Sequence, residues 1–218
     1  MIEAGFPVNL FAAVAGLAAL LATLAIWAPR RTAVRMTAVV LTALLLPKLA
    51  KGKDPRIISQ ASLAHRPAFI DFDNLAGTEG YGKQKFYGQS KLANLMFALE
   101  LDRRLRAANS PITSLACHPG VAKTELARDT AGSWLFMPIV GMLLNSAKQG
   151  ALPALQAATD PAAQGGGYYG PYGLLEAVGG TSGRAIATET ARDPLLAARL
   201  WEVSKDMTGI DPGLDSAT

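Results

Sequence analysis

Tyr87 and Lys91 stand four residues apart in the stretch Tyr87-Gly-Gln-Ser-Lys91, and Ser62 precedes them in the chain. On a helix, residues i and i+4 project from one face, so this phenol and this ammonium would lie side by side. A phenol titrates near pH ~10 and is a poor proton shuttle at neutral pH. An ammonium a few ångströms away favours the phenolate and lowers that value. Such a pair suits general acid/base work on an alcohol or carbonyl, and a serine hydroxyl beside it can hydrogen-bond and orient the substrate oxygen. Spacing alone does not single out this pair, because Tyr81 and Lys85 repeat it. Tyr81, however, is followed by Gly82 in a polar, Gly-rich stretch that weakens its helical register, whereas Tyr87 opens a sustained amphipathic run.

Periodicity and breaks give the elements that must carry these residues. From Phe86 to Ala107, Leu92, Leu95, Met96, Leu99 and Leu105 recur at three- and four-residue steps, with Glu100, Asp102, Arg103, Arg104 and Arg106 on the polar face. This predicts a long helix. Arg56–Ala61 is a short apolar run of strand type ending beside Ser62, and the stretch from there to about Lys85 is polar and irregular. Ile112–Cys117 is a second strand, stopped by Pro119-Gly120. Met36–Ala50 is helical in character, and Gly52 and Asp54-Pro55 separate it from the first strand. Ser146–Thr159 and Pro194–Met207 are further helices, the latter with Asp193 as its N-cap. Gly165-Gly166-Gly167 reads as a turn ahead of a Tyr168-Tyr169 strand, since no strand-to-helix junction carries it. Strand, long helix, strand predicts a βαβ crossover and a parallel sheet.

A chain of 218 residues with 50% hydrophobic and 17% charged residues can bury a core, which excludes disorder as its main state. Cys117 is the only cysteine, so no disulfide framework exists within the chain. With two histidines besides, the ligands for a structural zinc are too few, and no metal is expected. The net charge of +4 is basic, but the Lys and Arg residues are scattered and aromatics are only 7%, which gives no nucleic-acid footprint. Cys117, at a strand end, reads as a buried small hydrophobe.

Val8–Ala28 holds no charged residue and, at about 1.5 Å per residue, is long enough to span a hydrocarbon core of about 30 Å. Trp27 stands where an interfacial aromatic would, and Pro29, Arg30, Arg31 and Arg35 follow. The positive-inside rule then predicts a membrane anchor with an outside N-terminus and a cytoplasmic body. The alternatives are a buried helix of a soluble, cytoplasmic fold, or abnormal sequence at a truncated gene start. The absent basic n-region argues against a cleavable signal. Met36–Leu46 is apolar too but too short to span. The expected division is an apolar segment over 1–35 and a folded domain over 36–218.

From about Leu41 to Ile210 the chain resembles the C-terminal two-thirds of a short-chain dehydrogenase/reductase, in the retinol dehydrogenase and protochlorophyllide reductase-like branch. Arg56-Ile-Ile-Ser-Gln-Ala-Ser-Leu-Ala-His65 is similar to the strand that ends at the family's active-site serine, and Ile70-Asp-Phe-Asp-Asn-Leu75 to an insertion of this branch. Tyr87-Gly-Gln-Ser-Lys-Leu-Ala-Asn94 resembles the catalytic helix. His118-Pro-Gly-Val-Ala-Lys-Thr124 resembles the loop after the next strand, and Arg199-Leu-Trp-Glu-Val-Ser204 through Gly209 the last helix. The resemblance implies an α/β fold: the C-terminal part of a Rossmann-type parallel sheet with flanking helices, preceded by an apolar N-terminal helix. It implies Ser62, Tyr87 and Lys91 as catalytic residues, with Tyr87 as acid/base. Tyr87, Lys91, Pro119, Gly120, Val121 and Thr124 would meet the cofactor: Lys91 at the nicotinamide ribose, the Val121 backbone and Thr124 hydroxyl at the carboxamide or phosphates. That cofactor is NADP or NAD, NADP being slightly favoured, and the implied substrate is a small apolar alcohol or carbonyl. A homo-oligomer contact through the long catalytic helix is a further implication. His65 and His118 are framework positions in this branch. Trp134, Phe136 and Met137 fall where the family builds a substrate lid, and core packing explains them equally well.

The family's N-terminal third is a βαβ unit whose glycine-rich turn seats the pyrophosphate on a helix N-terminus. Nothing in Met1–Ala50 has that form; the early glycines, Gly5 and Gly16, follow no strand. An asparagine that completes the family's proton relay would fall at Val34. The chain therefore reads as an N-terminally incomplete member, with two functional expectations. One is an NAD(P)-dependent oxidoreductase of an apolar substrate, inactive as an isolated chain if the missing unit is not supplied. The other is a non-enzymatic remnant acting as an interaction or orphan protein.

Overall fold

A computed structural model describes residues 30–121 and 145–214. The apolar stretch Val8–Ala28, Thr124, Trp134, Phe136 and Met137 lie outside the described residues. The described elements are α1 (Arg30–Leu49), β1 (Arg56–Gln60), α2 (Lys83–Ala107), β2 (Thr113–Cys117), α3 (Ala147–Thr159), β3 (Tyr168–Pro171), β4 (Ser182–Arg184), α4 (Glu189–Arg192) and α5 (Pro194–Thr208). Among the described residues no helix is long and apolar enough to cross a membrane.

The strands form one sheet in the order β1-β2-β3-β4. β1 and β2 pair in parallel from Arg56↔Thr113 to Gln60↔Cys117, β2 and β3 are parallel, and β4 returns antiparallel on β3. The predicted strand–helix–strand unit is therefore β1–α2–β2. Side-chain alternation sorts the two faces. Ala61, Ala116 and Tyr168 join Leu92, Leu95 and Met96 of α2 and Ala197 and Leu200 of α5 in one core. Leu115, Cys117 and Tyr169 point the other way, onto Ala154 and Ala157 of α3. A third cluster seals α1 to the domain: Val39 and Leu46 pack with Leu101, Leu105, Ile112 and Trp201. Trp201 stacks on Phe97 with centroids 5.8 Å apart, fastening α5 over α2.

Helix limits follow local chemistry. Asp193 caps α5 by accepting from the Leu195 and Leu196 N–H groups at 2.9 and 3.1 Å, and Pro194 takes the first helical position, where a missing N–H costs nothing. Ser146 and Gln149 form a reciprocal capping box at the start of α3. Two starts lie earlier than periodicity marks. α1 begins at Arg30 rather than Met36, and α2 at Lys83 rather than Phe86, because straight-chain Lys, Arg and Gln continue a helix without adding to its apolar stripe. The short strand β4 has no counterpart in the sequence pattern.

Candidate active site

α2 places Tyr87 and Lys91 on one face, both half-buried. The Lys91 ammonium stands 5.8 Å from the centroid of the Tyr87 ring. It donates to the backbone carbonyl of Gln60, the last residue of β1, at 3.3 Å; Asn94, one turn further along, donates to the same carbonyl at 3.2 Å. The end of the strand thereby fixes the lysine. One of its three ammonium donors is spent in this way among the described residues, leaving capacity for hydroxyl groups of a bound ribose.

Ser62 follows β1 by two residues, in extended backbone, and caps the short turn Leu63–His65. Its Oγ accepts from the Ala64 N–H at 3.3 Å, so the serine O–H remains a donor for another oxygen. The Ser62 carbonyl is held from two sides of one residue, by the His65 N–H at 3.1 Å and His65 Nδ1 at 2.7 Å. Gly88 explains how α2 reaches this turn. A Cβ there would lie 2.9 Å from the Ala64 carbonyl oxygen and 3.2 Å from the Ala68 Cβ. Absence of a side chain beside Tyr87 thus brings the helix against the serine turn. Buried Gln89 accepts from the Asp71 N–H at 3.1 Å, and Lys85 pairs with the Asp71 carboxylate at 3.0 Å, docking the 70–75 stretch on the same helix.

Tyr81 and Lys85 do not form a second pair of this kind. Tyr81 lies ahead of α2, whose N-cap is Gly82, and stacks on Phe86 at 5.2 Å. Lys85 turns toward Asp71 and the Phe69 ring. Of the two tyrosine–lysine spacings, only Tyr87 and Lys91 share a helical face.

The loop after β2 carries Pro119, Gly120 and Val121. Gly120 has φ +68°, and a Cβ there would run into the Ala177 carbonyl and lie 2.8 Å from the Pro171 ring, so only glycine fits. Val121 donates its N–H to the Ala177 carbonyl at 2.7 Å and accepts from the Asn145 N–H at 3.0 Å. The N–H is engaged, whereas the carbonyl keeps a second lone pair free to accept from a carboxamide. Buried Asn145 ties the loop further, donating through Nδ2 to the Pro119 carbonyl at 3.1 Å and accepting at Oδ1 from the Gly179 N–H at 2.9 Å.

An open cleft of about 270 Å³ lies between the serine turn and the start of α2, with Ala64, Pro67, Ala68 and Phe69 as apolar walls and Lys85 at one side. Burial pushes the Cys117 thiol up to about 11, which makes it an inert packing group as expected.

Comparison with known proteins decides the family. Retinol dehydrogenase 13 from Homo sapiens is 39% identical over 177 residues, covering 77% of this chain and 50% of that protein. Dehydrogenase/reductase SDR family member 13 from Bos taurus is 32% identical over 185 residues, covering 79% of this chain and 45% of that one. The chain belongs to the short-chain dehydrogenase/reductase family. Polyprenol dehydrogenase from Mus musculus is 36% identical, with coverage of 78% and 50%. The crystal structure of an uncharacterised protein from Mycobacterium paratuberculosis superposes with a TM-score of 0.66 at 34% identity, over 82% of this chain and 58% of that one. No family model matches the chain. This short-chain dehydrogenase/reductase spans about half the length of the curated relatives it matches.

The site also contains residues that sequence reasoning missed: the Gln60 carbonyl, Asn145 and Glu176. Gln60 acts through its backbone, which no side-chain pattern reveals. Asn145 and Glu176 meet partners as far as 34 and 110 positions away.

Proposed function

We propose that the protein is an NAD(P)-dependent oxidoreductase of an apolar alcohol or carbonyl compound. One observation carries this reading: Tyr87 and Lys91 share a face of α2, and Lys91 is anchored to the end of the strand that leads into Ser62. The residues present fit the nicotinamide–ribose half of the cofactor, through the remaining donors of Lys91, the Tyr87 phenol and the 119–121 loop. Among the described residues no glycine-rich strand-to-helix turn offers a seat for the pyrophosphate. The nicotinamide, when bound, supplies or accepts hydride at the substrate carbon.

The chain's own residues handle the oxygen. Ser62 donates its O–H to the substrate oxygen and orients it. Tyr87 gives its phenolic proton to that oxygen in reduction and takes it back in oxidation, with the Lys91 ammonium 5.8 Å from its ring centroid. The retinol and polyprenol dehydrogenases among its relatives support an apolar alcohol as substrate. Val8–Ala28 supports a membrane anchor that keeps the enzyme near such a substrate, and fractionation of the full chain against one lacking residues 1–35 tests that part.

The decisive experiment is titration of the purified chain with NADPH and NADH, followed by tryptophan fluorescence. Saturable quenching supports the enzymatic reading and ranks the two cofactors. No binding of either at millimolar concentration overturns it, in favour of an interaction protein that keeps the fold without the chemistry; the engaged Val121 N–H is the observation that favours that second reading.

A further inference from the structure

Buried polar groups that the proposed chemistry does not use gather around Tyr168 of β3. His65 meets its ring edge-on at 5.6 Å, and His118 lies tilted against it at 5.1 Å. Both imidazoles are fully buried. Each commits Nδ1 to one backbone group of the site: His65 to the Ser62 carbonyl at 2.7 Å, His118 to the Gly120 N–H at 3.1 Å. The two bonds demand opposite tautomers. A carbonyl only accepts, so His65 carries its proton on Nδ1. An N–H only donates, so His118 Nδ1 is bare and its proton sits on Nε2.

That Nε2 makes no hydrogen bond among the described residues; the nearest carboxylate oxygen, Glu176 Oε2, stands 3.5 Å away, an electrostatic neighbour only. The same carboxylate takes Arg66 Nη2 at 2.8 Å and the Ile186 N–H at 3.0 Å. Leu175 and Glu176 both have left-handed backbones, with φ +53° and +59°. Side-chain-bearing residues adopt that region at a cost, and it persists where surrounding contacts hold it. Here the contacts of the Glu176 carboxylate do so. Gly170 completes the arrangement, since a Cβ there would run into the His118 ring.

We infer that Glu176 and His118 form a positioning pair for the Gly120 loop. The Gly120 N–H, which can only donate, fixes His118 as its Nε2–H tautomer; the carboxylate 3.5 Å from Nε2 favours the proton on that side, and the bare Nδ1 holds the Gly120 N–H and with it the backbone from Pro119 to Val121. The consequence for cofactor binding rests on the function proposed above; the hydrogen bond itself does not. The charged and titratable groups facing His118 are Glu176, Tyr168, His65 and Arg66.

Nitrogen NMR of the histidine-labelled wild-type chain at neutral pH reads the tautomer without any substitution. A bare Nδ1 and protonated Nε2 on His118 are expected, and a protonated Nδ1 overturns the pair. Two variants test the consequence. His118→Asn puts an acceptor oxygen near the place of Nδ1, and His118→Gln puts it near Nε2. Exchange of the Gly120 amide should stay within about two-fold of wild type in the Asn variant and accelerate about ten-fold or more in the Gln variant, which leaves that donor unpaired. The Kd for the nicotinamide dinucleotide should follow the same order, at equal melting temperature of the two variants. Equal exchange in both, or acceleration that merely tracks lost stability, overturns the inference. A wild-type chain with this tautomer and exchange pattern that binds neither dinucleotide would overturn the proposed function and leave the pair standing.

Discussion

Lys91 of α2 is hydrogen-bonded to the backbone carbonyl of Gln60, the last residue of β1, at 3.3 Å. Helix and strand thus meet at the residue whose charge the proposed chemistry uses, and Asn94 shares the same acceptor. Lys91→Met keeps the aliphatic stem and removes the charge. In the proposed reaction it should weaken cofactor binding and lower kcat together, read by fluorescence titration and initial rates. A variant with unchanged Kd and kcat would remove Lys91 from the site.

Tyr87→Phe deletes the phenolic proton and little else. Turnover should fall by about 10²–10⁴-fold, the usual contribution of a positioned acid/base, while cofactor Kd stays within about two-fold. Tyr81→Phe should leave kcat unchanged, since Tyr81 precedes the helix and stacks on Phe86. The reverse outcome would transfer the catalytic role to Tyr81.

Gly88→Ala pits two effects against each other. Alanine favours a helix interior over glycine by about 1 kcal/mol. Its Cβ would sit 2.9 Å from the Ala64 carbonyl oxygen, a backbone atom that cannot rotate away. Overpacking of this kind costs about 1–3 kcal/mol, so net destabilisation is expected in urea unfolding. Because the displaced atom belongs to the Ser62 turn, kcat should fall too. An increase in stability would show that the turn yields freely.

Burial holds the His118 imidazole down at about 4, with His65 and Arg66 acting in the same direction. The unfolded chain takes up that proton near pH ~6.5. Between the two values the unfolded state binds more protons, so stability rises with pH across this window and is lost as pH falls through it. The full effect is on the order of 3 kcal/mol for one group. His65, lowered chiefly by burial, adds in the same sense. Urea midpoints from pH 4 to 7 should climb in wild type and climb less steeply in His118→Asn. Parallel slopes would show that His118 does not titrate between the two states.

Asp102 offers a control remote from the chemistry. Its carboxylate is fully buried, accepts from the Ser114 N–H at 3.2 Å and pairs with Arg106 at 2.8 Å, joining α2 to β2. Gly165 passes so close that a Cβ there would run into this carboxylate. Asp102→Ala leaves the Ser114 donor unpaired and should cost about 1–3 kcal/mol of stability, with cofactor Kd unchanged in the fraction that remains folded. A changed Kd would mean that the sheet transmits strain to the loop.

Legibility in the sequence followed the range of the forces involved. α2, α3 and α5 were readable because stripes and caps are local: Leu92, Leu95 and Met96 repeat within two turns, and Asp193 sits next to the helix it caps. β1 and β2 were readable as apolar runs with sharp ends. β4 was not, since Ser182-Gly-Arg184 has no strand propensity and exists through pairing with Gly170 and its neighbours. Tyr87 and Lys91 are marked as candidates by spacing and helical register, and they and Ser62 together by the resemblance of their stretches to the family's motifs. The anchoring carbonyl of Gln60 and the Asn145 staple depend on tertiary contacts that no spacing encodes, and Glu176 sits in a left-handed backbone that its residue type argues against.

Cys117 sits at the end of β2, in register with Gln60 on one side and Tyr169 on the other, 3% exposed and the chain's single thiol. The site therefore carries its own clock. A thiol reagent can modify this sulfur only when the strand end parts from its neighbours, so the labelling rate counts those openings directly. Ligands that hold the 119–121 backbone should slow that count, and no residue has to be substituted to follow it.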